Sequence, residues 1–238
     1  MRPLLAHLRL ELGLLARNGE SLLLTLGIPV LLLVFFANVD VLPIDGDPIE
    51  FLAPGVLALA VLSTSLVNLA IATGFERGYG VLKRLGATPL GRPRLLAAKT
   101  LSIVVVEVVQ LAVLSVVALA LGWDPTPRPG VAAAVALGTV ACAGLGLCLA
   151  GRLDALVTLA AANGLYLVLL LLSGMVIPLT ELPGPVRAVA RLLPSGALAE
   201  AVRGSLAAGG EVPGRAWVVL AAWAVAAPAL ATRLFRWE

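Results

Sequence analysis

Residues 95–121 read LLAAKTLSIVVVEVVQLAVLSVVALAL. Beyond Lys99 the run holds one charged residue, Glu107, and four small polar ones, Thr100, Ser102, Gln110 and Ser115. Crossing the hydrocarbon core of a bilayer as a helix takes about 20 mostly apolar residues. At about 1.5 Å of rise per residue, this stretch is longer than that core is thick. Its hydrophobicity is continuous rather than alternating, so it does not read as a strand of a lipid-facing barrel. In lipid, a helix satisfies its backbone polar groups within the segment itself. Five further stretches meet the same test, at residues 21–41, 51–74, 131–150, 155–177 and 216–232. The reading is an all-α integral membrane protein with six transmembrane helices.

Composition agrees. Of 238 residues, 60% are hydrophobic before the 24 glycines are counted, and 13% are charged. A soluble domain is about 45–50% apolar with glycine included and about 25% charged. So apolar a chain cannot hide its surface from water, which excludes an ordinary soluble enzyme, and it equally excludes disorder. A single histidine, His7, rules out a His-rich metal site, and two cysteines rule out a cluster built from Cys alone. Cys142 and Cys148 fall on different faces of one helix and read as unpaired packing residues. The net charge of +3 is too small to argue for a nucleic-acid partner.

The placement of charge says more than its sum. Twelve of the seventeen basic residues, among them Arg2, Arg9, Arg17, Arg77, Lys83 and Arg84, fall on the side shared by both termini. The first loop on the other side carries Asp40, Asp45, Asp47 and Glu50 and no basic residue. The excess of positive charge on cytoplasmic loops then places both termini in the cytoplasm.

Two segments are helical without spanning. In residues 1–19, Leu4, Leu8, Leu12 and Leu15 form one stripe, with Arg2, Arg9 and Arg17 elsewhere, as in an amphipathic helix lying in the interface. Residues 178–215 form an outer helical element punctuated by Pro178, Pro183, Pro185 and Pro194. Two short helices are expected there. One covers 185–193. The other covers 197–208 behind a Ser195 cap, with Leu198, Val202 and Leu206 on one face. They are too short to cross and read as re-entrant pieces before the last span.

The most polar segment is residues 75–99, FERGYGVLKRLGATPLGRPRLLAAK. A short helix around Val81, Leu82 and Leu85 should end at Gly86, and Pro89 and Pro93 forbid its simple continuation. Locally it reads equally as a positively charged loop or as a docking helix for a cytoplasmic partner. Within the spans, Glu107 sits near mid-bilayer, where it must be protonated, paired or open to a wet cavity, and Gln110 shares its face. Contact with a cationic substrate and hydrogen bonding to a neighbouring helix are equally good readings. For Asn68 and Asn163, hydrogen bonds between helices are the better one. Ala134, Gly138, Cys142, Gly146 and Ala150 recur every four residues and should let a neighbouring helix of the same chain approach closely.

The run from Glu76 and Arg77 through Gly80, Leu82, Lys83, Arg84 and Leu85 to Thr88-Pro89 resembles the signature loop of ABC type-two export permeases. Leu172-Ser173-Gly174, Ile177-Pro178, Leu182-Pro183 and Leu193-Pro194 resemble that family's break after the fifth span. The resemblance covers nearly the whole chain and is nearest to daunorubicin-resistance-type drug exporter permeases. It implies a single permease domain over residues 1–238, in the bacterial inner (plasma) membrane, paired as a homodimer or with a sister permease. It implies that residues 75–95 form a coupling loop, with Glu76, Arg77, Gly80, Leu82, Lys83, Arg84, Leu85 and Pro89 meeting a separate P-loop ATPase. It also implies that Gly174, Pro178, Pro183 and Pro194 shape an outer gate or re-entrant break. ATP and Mg would be bound by the partner and no cofactor by this chain, with membrane lipid as a further partner.

The sequence agrees with that division of labour. It has no G-x-x-x-x-G-K-[ST] loop; the nearest spacing, Gly86 to Gly91, is followed by Arg92-Pro93 and lacks the phosphate lysine. No catalytic residue and no metal site is expected. An intramembrane serine protease is excluded, because His7 lies outside every span and there is no G-x-S-x-G element. An aspartyl protease needs two intramembrane acids, and only Glu107 qualifies. The alternative is an ion-driven secondary transporter or channel, a class marked by intramembrane charge pairs and broken helices in duplicated halves.

Overall fold

A computed structural model describes residues 19–38, 47–86 and 92–235. Most of the amphipathic stretch expected at 1–19, and Pro89, lie outside the described residues. Every one of the six apolar stretches contains helix. In chain order the helices are α1 (Gly19–Asn38), α2 (Pro48–Gly78), α3 (Val81–Gly86), α4 (Arg92–Ala120), α5 (Gly130–Ala150), α6 (Ala155–Leu171), α7 (Gly184–Ala190), α8 (Pro194–Leu206) and α9 (Gly214–Leu234). No strand occurs among the described residues. Four helices are long and apolar enough to cross a membrane: α2, α4, α5 and α9. Two apolar helices, Leu26–Asn38 within α1 and α6, are shorter.

α2 is the centre of the molecule. Asp47 caps it by accepting from the Ile49 N–H at 3.2 Å, and Pro48 sits in the first turn, where its missing N–H costs nothing. From Leu52 to Leu62 every residue is buried, packed against α1, α4, α5 and α8. Between Ser63 and Asn68 the helix widens into a π turn before resuming as Leu69–Gly78. One extra residue in a turn leaves the regular hydrogen-bond ladder locally out of step, a feature that recurs at functional sites.

The small-residue stripe of α5 packs inside the chain, as expected. Ala134, Gly138, Cys142, Gly146 and Ala150 are all buried. A side chain at Gly146 would put Cβ 2.5 Å from the Leu66 carbonyl oxygen of α2. On a neighbouring face, one at Gly144 would lie 2.6 Å from the Pro228 nitrogen of α9. α5 is therefore wedged between α2 and α9 at backbone contact. Cys142 and Cys148 are both free.

Several boundaries differ from expectation. α2 runs on through Gly78 and α4 begins at Arg92, so both ends of the expected 75–95 loop are helix. Pro93 does not block α4 because it lies in the first turn, where no intrahelical N–H bond is lost. α6 stops at Leu171, short of residue 177, and Gly174 takes a positive φ of 74°. α8 starts at Pro194 with extended Leu193 as its cap residue, and Ser195 caps nothing. Its hydroxyl instead donates to the Leu169 carbonyl at 3.0 Å, joining α8 to α6.

Candidate functional site

The basic end of α2 is braced on two sides. The Lys99 ammonium, 1% exposed, meets Glu76 Oε2 at 2.5 Å and ties α2 to the start of α4. One residue on, Arg77 donates to the Leu153 carbonyl at 2.5 Å, with Asp154 Oδ1 at 4.0 Å, and ties α2 to the turn between α5 and α6. The chain then reverses. The Tyr79 N–H bonds to the Phe75 carbonyl and the Gly80 N–H to the Arg77 carbonyl. Gly80 has φ +70°, with open space where a Cβ would be. Glycine is needed there for its backbone conformation and not for room.

That turn delivers α3. Leu82 is fully buried among Leu69, Leu95, Leu96, Leu147 and Phe235, which belong to α2, α4, α5 and the end of α9. Around it Tyr79, Val81, Lys83 and Arg84 are exposed, Tyr79 at 75%. Helical spacing explains the split. One leucine points in and anchors the six-residue helix, and its neighbours at other angles must face out. The structure thus brings Glu76, Arg77, Gly80, Leu82, Lys83 and Arg84 to one end of the bundle. The Leu85 side chain lies outside the described residues.

A second polar cluster is buried at the π turn. Thr64 donates to Gln110 Oε1 at 2.8 Å, and Ser65 donates to its own helix at the Val61 carbonyl. Thr139 of α5 lies 2.6 Å from Glu107 Oε2, with the Val135 carbonyl also in reach at 2.9 Å. Glu107 is 2% exposed, and its Oε1 has no hydrogen-bond partner. Glu107 and Gln110 therefore join α4 to α5 and α2. Asn68 is half-buried at the end of the π turn. Asn163 differs from expectation. It is exposed and donates to the Leu159 carbonyl of its own helix at 2.8 Å.

At the opposite end, Gly174, Pro178, Pro183 and Pro194 punctuate the segment between α6 and α8. A Cβ on Gly174 would lie 2.7 Å from Leu179, and Pro178 and Pro183 precede the short turn Leu179–Glu181 and α7. α8 is buried along most of its length against α2, α5 and α9. Arg203 on α8 donates to the Gly174 carbonyl at 3.1 Å and sits 4.0 Å over the Phe51 ring of α2. Burial of the guanidinium lowers it from its ordinary value to about 10, with Glu200 acting the other way, so it keeps its charge at neutral pH. Arg203, Lys99 and Thr139 escaped the sequence reading. A lone Arg in an amphipathic helix, a Lys near a span end and a Thr inside a span carry no signal of their partners.

The architecture is that of an α-helical membrane-embedded protein with a short basic helix projecting from one end. The family model for ABC-2 type transporters matches residues 4–207. The chain belongs to that family and is a permease subunit of the ABC type. No curated protein matches it at a significant level.

Proposed function

We propose that this chain is the membrane-spanning subunit of an ATP-driven exporter, and that α3 is the contact through which a separate P-loop ATPase drives it. The observation that supports this best is the form of α3. Among the described residues it is anchored by the buried Leu82, presents Lys83 and Arg84 outward behind a turn with an exposed Tyr79, and is joined to a braced α2. A partner pressing on α3 would push Leu82 into the packing of α4, α5 and α9. The Glu76–Lys99 and Arg77–Leu153 contacts would carry the push to α4 and to the α5–α6 turn. The π turn offers α2 a place to yield without breaking the packing of Leu52–Leu62. Tilting the inner half of the bundle in this way switches the side from which the pathway is reached.

In this reading α1 and α6 cross the bilayer with the four longer helices, giving six spans. The basic end and both termini face the cytoplasm of a bacterium, and α7 and α8 form a re-entrant outer gate shaped by Gly174, Pro178, Pro183 and Pro194. ATP and Mg reside on the partner, and two permease chains, identical or sister, complete the pathway. The cargo is drug-like, lipid-like or otherwise amphipathic. An ion-driven carrier would need a charge on a wet pathway, and Glu107 is buried against Thr139 of α5.

The test is reversal of the α3 cations. Lys83→Glu with Arg84→Glu reverses both exposed cations that the proposed contact presents, and charge reversal at an interface weakens docking. Co-purified ATPase and ATP-dependent export should both fall at least about tenfold. Arg84→Glu alone should leave the chain's melting temperature in place, since that side chain is exposed. Unchanged co-purification and export would remove α3 from this role.

A further inference from the structure

A cavity of about 520 Å³ lies between α4, α5 and α9, toward the basic end of the bundle. Its lining includes Pro93 and Ala97 on α4, Gly144 on α5, and Pro228 and Ala229 on α9. Its walls are apolar. The two hydroxyls that reach it are turned back on their own helices, Thr100 to the Leu96 carbonyl at 3.0 Å and Thr232 to the Ala229 carbonyl at 2.9 Å. Leu101, which lines it, and the nearby Val105 and Leu230 are exposed, so the cavity is approached across an apolar surface.

Two exposed arginines of the lining helices flank its polar end. α4 and α9 run antiparallel here, with Pro93 and Thr232 both lining the cavity. Arg94 lies three residues before Ala97 and seven before Leu101, on the same helical stripe, and Arg233 lies four residues after the lining Ala229. Both arginines are exposed. They adjoin the lining residues Pro93 and Thr232 at the basic end of the cavity. α5 and α9 contain no acid, and the acid on α4, Glu107, is buried on α5. Basic pockets between membrane helices on the cytoplasmic side match anionic lipid headgroups, with acyl chains on the apolar walls.

We propose that this cavity is a binding site for an anionic phospholipid of the cytoplasmic leaflet, its acyl chain between α4, α5 and α9 and its headgroup between Arg94 and Arg233. The proposal rests on the membrane-spanning reading and its orientation, and not on ATPase docking. The full chain is purified in mild detergent, offered equimolar phosphatidylglycerol and phosphatidylcholine, and its retained lipid measured by native mass spectrometry. Two basic groups at a headgroup should favour phosphatidylglycerol at least about tenfold. Arg94→Gln with Arg233→Gln, which leaves the walls intact, should abolish that preference. Ala97→Trp, which fills the cavity, should lower retention of both lipids. Equal retention of the two lipids by the unaltered chain overturns the proposal, since the walls then hold any acyl chain or a segment of the protein itself. Undiminished phosphatidylglycerol retention in both variants overturns it as well. No ATPase is present in the assay, so either result leaves the exporter reading to its own test.

Discussion

Glu107 carries the sharpest question at the scale of single residues. A carboxyl near mid-bilayer is costly, and its presence in a span is a reason to look for function. Its Oε2 is 2.6 Å from Thr139, and Gln110, one turn along α4, accepts from Thr64. Glu107 thus joins α4 to α5 and Gln110 joins it to α2, while Glu107 Oε1 has no hydrogen-bond partner. Glu107→Gln keeps an oxygen for Thr139, so export of cationic and neutral compounds should change together and little. A selective loss of cations in parallel transport assays would place substrate on this carboxyl instead. The sequence could flag Glu107 because charge in a span is rare. It could not choose between pathway and packing, because the deciding partner is a threonine indistinguishable from other hydroxyls in the spans.

Among the elements, α2 has the most to do. Its first half is fixed by the buried run Leu52–Leu62 and by Gly55, where a Cβ would come within 2.1 Å of the Met175 carbonyl oxygen. Its second half ends in the braces that precede α3. The Glu76–Lys99 pair is unequal, with Lys99 1% and Glu76 24% exposed at the side chain. Removing one member of a buried pair costs about 3–5 kcal/mol because the other charge stays in place. Partial exposure of Glu76 lowers that figure, so Glu76→Gln should destabilise the chain by about 2 kcal/mol. Adding Lys99→Met should recover most of the loss, since the buried cation goes too. Chemical denaturation in detergent, run as a double-mutant cycle, reads this directly, and additive losses would show that the two side chains act independently.

Helices such as α2 and α4 were legible as long apolar runs, and their ends were not. Whether α4 starts at Arg92 or at residue 95 depends on Pro93 falling in a first turn. Where α6 stops depends on the turn at Gly174, which tertiary contacts with Leu179 and Arg203 hold in place. The residues 75–99 announced a distinctive segment through their charge and glycines, yet the pairing of Glu76 with Lys99 needs the fold to bring two helices together.

For the whole molecule, membership of the ABC-2 family is carried by residues 4–207, and α9 lies beyond that stretch. It is integral to the bundle all the same, because Gly144 lets the α5 backbone meet α9 at Pro228. Leu82 of α3 packs in the same cluster as Ala231 and Phe235, so a push on α3 reaches the last helix too. The proposed function requires a separate ATPase to deliver that push. Gentle purification of the tagged chain from its native membrane, with identification of what co-elutes, tests it. A stoichiometric P-loop ATPase is expected. A chain that elutes folded without one, and transports in ATP-free vesicles under an ion gradient alone, would contradict it.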